Sequence, residues 1–452
     1  MGFKTSKFNY CVRNKEGDFL LYNSLRGKRS LYKVKQDKLS DLQYLNISGL
    51  IENENEVTQK LINSGYLIPE DYDEDILIEE TFDNKVNDKL LNLIIAPTSQ
   101  CNLRCKYCCE NFEANKMPLS IQNSIIFYVE KNIGNYSGVN IDWFGGEPLL
   151  AMDVIENIAS RIIEICTSHK KIYTSFITTN GTLLDLKIFE RLYKLKVIMY
   201  QITVDGIQEV HDKQRVGVND KPTFNKIIHN LEAIRDSNVG RHALIMILTN
   251  YSNVMKEYID EYKVYFEKHF GHDRRFYFSC NIIMDLGGDQ IDCYRNNLVD
   301  SKGMNYLYEK IIENDDAKLS YIYEEFLEPG SQLCYAAKRN SFLIGEDGLV
   351  YKCEHQYQIH KDENIGYFDL EGNLILTKEA DKWMGRYDFC KNPACKLKPL
   401  CLGEDCIKQR VNLDNQNPGG ENCGFHECHF FKPSLESILK LLDHEKDIFP
   451  IF

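Results

Sequence analysis

The hydrophobic pattern changes twice along the chain. Between residues 91 and 283, short apolar runs of strand length alternate with longer stretches in which apolar residues recur every three or four positions. The runs Leu91–Ala96, Val139–Phe144, Tyr173–Thr178, Met199–Val204, His242–Leu248 and Phe276–Ile283 predict strands. Leu119–Lys131, Met152–Ser168, Leu184–Leu195, Phe224–Asp236 and Val254–His269 predict the helices between them. Six strands and five helices in βα order predict an α/β fold with a parallel sheet and right-handed crossovers. Six strands are too few for a closed eight-stranded barrel, so an open, partial (β/α)6 barrel is expected over residues 90–310. Reactive groups in such sheets gather at the C-terminal strand ends.

The flanks read differently. Phe19–Tyr22 and Leu31–Val34 are strand-like runs around the polar turn Ser24–Lys28. Lys38–Leu45 and Asn55–Ser64 predict helices, the second stopped by Gly65 and followed by a short strand, Tyr66–Pro69. Hairpin, helices and strand predict a small winged-helix-like module over residues 1–85. The acidic run Glu70–Glu80 is expected to be a solvated linker. Beyond about residue 330 the periodicity fades while Cys, Gly and Pro become dense. Residues 311–452 are expected to form a loop-rich domain that needs metal to fold, closed by a helix at Ser434–His444.

Composition sharpens this picture at one point. The chain has 452 residues, 43% hydrophobic and 27% charged, as soluble globular proteins do. Its formal charge of −13 argues against nucleic acid or an anionic membrane as the main partner. The N-terminus has no apolar signal region, and apolar stretches such as Ala243–Leu248 are too short to span a bilayer. A cytoplasmic location is expected. Gly2 with Ser6 fits a loose myristoylation pattern, but no second membrane signal accompanies it. The unusual number is 16 cysteines. Only Cys11 lies in the first hundred residues, four lie within Cys101–Cys109, and eight lie between Cys334 and Cys428. Clustered thiols in a reduced compartment point to metal rather than disulfides.

The first cluster, Cys101-Asn-Leu-Arg-Cys105-Lys-Tyr-Cys108, follows the first predicted strand. Three thiolates on one short loop can hold three corners of an iron–sulfur cubane and leave the fourth iron open. Structural zinc wants four ligands. Cys109, adjacent to Cys108, is read as a thiol outside the cluster. The CxxxCxxC spacing, with aromatic Tyr107 before the third cysteine, resembles the radical S-adenosylmethionine (radical SAM) superfamily. In that family the open iron binds the amino and carboxylate groups of SAM, and one electron releases a 5′-deoxyadenosyl radical that abstracts hydrogen. The next strand ends in Gly145-Gly146-Glu147-Pro148, similar to the family's GGE motif against the SAM amino group. The following strand ends near Asn180, and the one after it at Asp205-Gly206, with His211 and Arg215 beyond. The resemblance assigns Asn180, Asp205 and Arg215 to SAM ribose and carboxylate contacts. His211 is read as structural. No residue is assigned as a catalytic acid or base.

The C-terminal cysteines follow a second pattern. Cys334 precedes Gly348-Leu-Val-Tyr-Lys-Cys353, then come Cys390, Cys395, Cys401 and Cys406, and finally Cys423 and Cys428. This resembles the SPASM extension of radical SAM enzymes, which holds two auxiliary [4Fe–4S] clusters. The intervals after Cys390 and after Cys401 are longer than the family pattern. The resemblance implies Cys334, Cys353 and Cys406 for the first auxiliary cluster, and Cys390, Cys395, Cys401 and Cys423 for the second. The stretch Tyr323–Leu333 lacks the extra cysteine of fully ligated relatives. The first cluster therefore either keeps an open iron or recruits Cys428, Cys293 or Cys280, and Cys428 is the alternative to Cys423. Cys166 and Cys11 are read as core thiols.

The N-terminal pattern resembles a RiPP recognition element, which binds the leader of a ribosomally made precursor peptide by strand addition. Together these resemblances imply a SAM-dependent peptide maturase with three [4Fe–4S] clusters and an external flavodoxin- or ferredoxin-type reductant. The expected reaction is a crosslink of sactipeptide or ranthipeptide type, a cysteine thioether. A carbon–carbon crosslink, an epimerisation, or formylglycine formation as in anaerobic sulfatase maturation are the alternatives.

Overall fold

A computed structural model describes residues 2–38, 45, 55–108, 112, 115–283, 291–292, 294–299, 303, 326–359, 361–384, 395–403, 407 and 432–443. Most of the expected helix Lys38–Leu45 lies outside the described residues, as do Cys109, Cys293, Cys390, Cys406, Cys423 and Cys428. The chain divides into two compact units. One contains the described parts of residues 1–87, 305–338 and 385–452. The other contains those of 88–304 and 339–384.

In the first unit, β1 (Phe3–Thr5) pairs antiparallel with β5 (Leu67–Pro69). Strands β2 (Asn9–Arg13), β3 (Phe19–Asn23) and β4 (Tyr32–Val34) form an antiparallel sheet. Helix α1 (Glu56–Asn63) begins on a capping box, with Asn55 and Thr58 satisfying each other's backbone N–H groups, and Gly65 ends it at φ +78°. The acidic run is not a linker. It forms helix α2 (Glu74–Val86), capped by Asp73, whose carboxylate accepts from Asp75 N at 2.9 Å. Glu74 and Asp75 sit in the first turn, where negative charge complements the helix dipole. Ile78, Phe82 and Val86, spaced four apart, are buried. Glu74 is buried too, accepting from Ser6 Oγ at 2.5 Å and Lys7 N at 3.1 Å.

The β2–β3–β4 sheet is covered on both faces. Leu21 and Val34 pack with Leu61, Tyr66 and Leu67. Leu20, Tyr22 and Leu31 pack with Leu327, Leu397 and Leu400, and with Leu435, Ile438, Leu439 and Leu442 of the C-terminal helix Lys432–Leu442. Tyr22 Oη donates to Leu327 O at 2.5 Å. The N-terminal strands therefore share a core with the cysteine-bearing segment 395–401.

The second unit is built on a ten-stranded sheet. Strands β6 (Leu90–Ile95), β8 (Gly138–Trp143), β9 (Ile172–Thr179), β10 (Val197–Thr203), β12 (Leu244–Tyr251) and β13 (Phe276–Ile282) run parallel in that order. They are the six predicted strands, with ends moved by at most three residues. The crossovers are α3 (Leu119–Asn132), α4 (Met152–Ser168), α5 (Leu186–Lys194), α6 (Gln208–Gln214), α7 (Phe224–Arg235) and α8 (Ile259–Phe266). Leu91, Leu93 and Ile95 and Val139, Ile141 and Trp143 are fully buried on one face. The alternate positions Asn92, Asn140, Asp142, Thr174 and Gln201 are half-buried and polar. The sheet continues past β6. Strand β14 (Ser341–Ile344) pairs parallel to it, followed by antiparallel β15 (Leu349–Tyr351), β16 (Gly366–Phe368) and β17 (Leu374–Leu376).

Candidate active site

The expected cluster and SAM residues follow the C-terminal ends of β6, β8, β9 and β10, with Arg215 beyond α6. Two glycines seat the cysteine loop. Gly145 takes φ +104°, and a Cβ on it would stand 2.6 Å from Thr98 O. A Cβ on Gly146 would stand 2.2 Å from Gln100 O. Bare backbone permits Gly146 N to donate to Thr98 O at 3.1 Å and Glu147 N to Gln100 O at 2.7 Å, immediately before Cys101.

Glu147 is fully buried and ties β8 to β9. Its carboxylate accepts from Thr179 Oγ1 at 2.7 Å, Asn180 N at 2.7 Å and Leu149 N at 3.1 Å. Burial raises its pKa, and these donors oppose the rise. Asn180 Nδ2 donates to Asn102 Oδ1 at 2.8 Å and lies 3.9 Å from Cys101 Sγ. Its Oδ1 accepts from Thr182 N at 3.0 Å, holding the turn after β9.

The cysteine loop contains a strand that periodicity did not show. Strand β7 (Leu103–Cys105) pairs antiparallel with β11 (Arg215–Gly217), placing Cys105 opposite Arg215. Lys106 N donates to Gln214 O at 2.9 Å. Cys105 is buried, and Cys101 and Cys108 are partly exposed.

Tyr107, Asp205 and Arg215 meet at one hydroxyl. Tyr107 Oη donates to Asp205 Oδ2 and accepts from Arg215 Nη1 at 2.7 Å and Asn250 Nδ2 at 3.0 Å. Asp205 Oδ1 accepts from Asn250 N at 2.9 Å. Burial raises the pKa of Asp205, opposed by the Arg215 charge and the Tyr107 hydroxyl. Burial works against the Arg215 cation, but Cys105, Tyr107 and Asp205 outweigh it and hold its pKa well above the ordinary value. Arg215 Nε is buried and has no partner among the described residues. The Tyr107 ring packs edge-on against Tyr294 with centroids 5.7 Å apart, beside Ile283 and Ile291. Asn102, Thr179, Gln214 and Asn250 were not singled out from sequence. For Asn102, Thr179 and Asn250 the one local signal was a polar residue at the end of a strand or in the cysteine loop, which ordinary helix caps also give; Gln214, the last residue of α6, gave no such signal.

The other cysteines scatter through the described residues. Cys353 is buried after β15, and Cys334, Cys395 and Cys401 are partly exposed. Cys166 is a core thiol of α4, pushed up to about 11 by burial. Cys11 is not a core thiol: it is on the exposed side of β2, where alternation turns Tyr10 and Val12 toward the core instead. Cys280 on β13 is raised by burial.

Residues 95–262 match the radical SAM superfamily. The chain carries a radical SAM domain. A cysteine-type anaerobic sulfatase-maturating enzyme of Clostridium novyi (strain NT) is 27% identical to it over 79% of this chain and 97% of its own length. The radical SAM cyclopropyl synthase TigE of Paramaledivibacter caminithermalis is 23% identical over 98% of this chain and 96% of its own. The solved structure of native anSMEcpe with bound AdoMet and Cp18Cys peptide shares the fold, with TM-score 0.54 at 18% identity, covering 78% of this chain and 96% of that one. Among the described residues of the radical SAM enzyme, no helix is long and apolar enough to cross a membrane.

A radical SAM enzyme uses a [4Fe–4S] cluster and SAM, and the residues present fit both by donor chemistry. Cys101, Cys105 and Cys108 put three thiols within eight residues. Leu103 N donates toward Cys101 Sγ at 3.4 Å, favouring a thiolate there. The orphaned Arg215 Nε is a buried cationic donor suited to a carboxylate.

Proposed function

We propose that this radical SAM enzyme modifies a ribosomally made precursor peptide, taking hydrogen from one of its residues and joining that carbon to a cysteine sulfur. The observation that carries the site is the meeting of the three-cysteine loop with Tyr107, Asp205, Asn250 and Arg215 at the strand ends. When bound, the cluster and SAM supply a 5′-deoxyadenosyl radical. The chain's own residues orient that chemistry. The GGE backbone seats the loop, Glu147 locks β8 to β9, and Asn180 stands beside Cys101. Arg215 Nε, left over from the Tyr107 hub, takes the SAM carboxylate. The C-terminal cysteines Cys334, Cys353, Cys390, Cys395, Cys401, Cys406 and Cys423, with Cys428 as the alternative to Cys423, are proposed to hold two auxiliary clusters. The first 85 residues are proposed to bind the peptide's leader at a sheet edge, since both faces of the β2–β3–β4 sheet are covered.

Two other products have specific support. The relative aligned over 98% of the chain is a cyclopropyl synthase, which favours carbon–carbon bond formation. The Clostridium novyi relative is a sulfatase-maturating enzyme, which favours formylglycine. Co-expression with a small Cys-rich reading frame beside the gene, followed by mass spectrometry and thiol alkylation, separates them. A thioether removes two hydrogens and blocks alkylation of one cysteine. A carbon–carbon bond removes two hydrogens and leaves every thiol reactive. An unmodified peptide with a converted sulfatase peptide sinks the crosslinking reading.

A further inference from the structure

His211 is fully buried one turn into α6, four residues before Arg215, and the SAM site as described makes no use of it. Its two ring nitrogens are both engaged. Nδ1 accepts from Asp205 N at 3.1 Å, and Nε2 lies 3.0 Å from Thr223 Oγ1. The Thr223 hydroxyl proton is already committed, donated to Arg215 O at 2.7 Å. Thr223 Oγ1 can therefore only accept from the ring, which fixes the tautomer with hydrogen on Nε2. A second proton on Nδ1 would face the Asp205 N–H. Burial and then the Arg215 charge hold His211 well below its ordinary pKa, in keeping with a neutral ring.

The relay runs from the Asp205 backbone through His211 and Thr223 to the Arg215 backbone. Asp205 and Arg215 are also the residues whose side chains meet at Tyr107. Asp212 completes the frame by accepting from Thr223 N at 2.8 Å and Phe224 N at 2.9 Å, which anchors the start of α7. Phe224 packs edge-on against the imidazole at 5.6 Å.

We propose that neutral His211, acting through Thr223, is a positioning residue of the SAM site: it sets the spacing between Asp205 and Arg215 and so aims the free Arg215 Nε. The inference rests on the proposed role of Arg215 toward SAM.

The test uses reconstituted full-length enzyme and SAM itself. His211→Phe keeps a ring and removes both bonds, Thr223→Val removes only the relaying hydroxyl, and Thr223→Ser restores it. Kd for SAM is read from the change in the EPR signal of the reduced cluster, and KM and kcat from 5′-deoxyadenosine formation. Thr223→Val is expected to raise Kd and KM about tenfold, the worth of one hydrogen bond to a charged group, with kcat changed less than KM. Thr223→Ser is expected to stay near wild type. His211→Phe is expected to match or exceed the Thr223→Val defect. A Thr223→Val enzyme with wild-type Kd and EPR signal overturns the proposal, as does a Thr223→Ser enzyme no better than Thr223→Val. An Arg215→Gln enzyme that binds SAM normally would instead remove the Arg215 assignment, while the Thr223 pair still decides on His211.

Discussion

Gly146→Ala probes how the GGE loop seats the cysteines. The added methyl would stand 2.2 Å from Gln100 O, 2.6 Å from Gln100 C and 2.8 Å from Ser99 O. All three are main-chain atoms, so no side-chain rotation relieves the clash. Restoring an ordinary carbon–oxygen separation requires a displacement of about 1 Å. Strand β6 is paired on both sides, to β8 and β14, so it resists moving. The part that yields is the segment running into Cys101. Overpacking of this kind costs about 1–3 kcal/mol, small enough to leave the fold intact. Misplacing a reacting group by about 1 Å costs on the order of a hundredfold in rate. The assay is 5′-deoxyadenosine formation by anaerobically reconstituted enzyme under dithionite, beside a thermal melt. The expected result is a folded enzyme, slightly less stable, with its SAM cleavage rate down about a hundredfold. Gly134→Ala, whose Cβ meets nothing within 4 Å, is the neutral control. A Gly146→Ala enzyme that cleaves SAM at the wild-type rate would refute the claim that these glycines set the position of the cluster loop.

Three further outcomes are expected. Changing Cys101, Cys105 and Cys108 together to Ala should abolish 5′-deoxyadenosine formation and lower bound iron from about twelve to about eight per chain, if three cubanes form; persistent cleavage would contradict the assignment. Glu147→Gln turns an amide NH2 toward at least one of the Thr179, Asn180 and Leu149 donors, so chemical denaturation should show a loss of about 1–3 kcal/mol. Asp142, half-buried on the polar face of the sheet, is pushed up to about 6 by burial, against the lowering effect of the Asn140 donor. Its folded pKa exceeds its unfolded one, so its contribution is fully present below about pH 4 and is lost as pH rises through about 6, by about 3 kcal/mol in all. Asp142→Asn should therefore melt higher than wild type at pH 7 and match it near pH 4; equal melting at both would show that Asp142 ionises without cost.

Much of the fold was legible because its signals are local. The six parallel strands are apolar runs, the helices between them repeat every three or four residues, and Met152–Ser168 is a helix over the residues that periodicity marked. The proposed cluster motif is likewise local, resting on three thiols within eight residues. Where local reading failed, a longer-range partner decided. Glu70–Glu80 looked like a linker because its charges dominate. Yet Ile78, Phe82 and Val86 make a buried stripe, and Glu74 finds Ser6, 68 residues away. Strands β14–β17 were hidden in a cysteine-rich stretch with little periodicity, and β14 exists as a strand because the open edge of β6 accepts it.

By itself, the sequence determined the alternation of strands and helices, the strand ends that carry polar groups, and the thiol donor set. All of these follow from neighbouring residues and backbone periodicity. Tertiary structure alone decided what those polar groups do. Tyr107 is joined to Asp205, Arg215 and Asn250 across separations of 98, 108 and 143 residues. Crossover connections brought these distant segments together, and only then did one hydroxyl gather three partners beside an Arg215 Nε that is unpaired among the described residues.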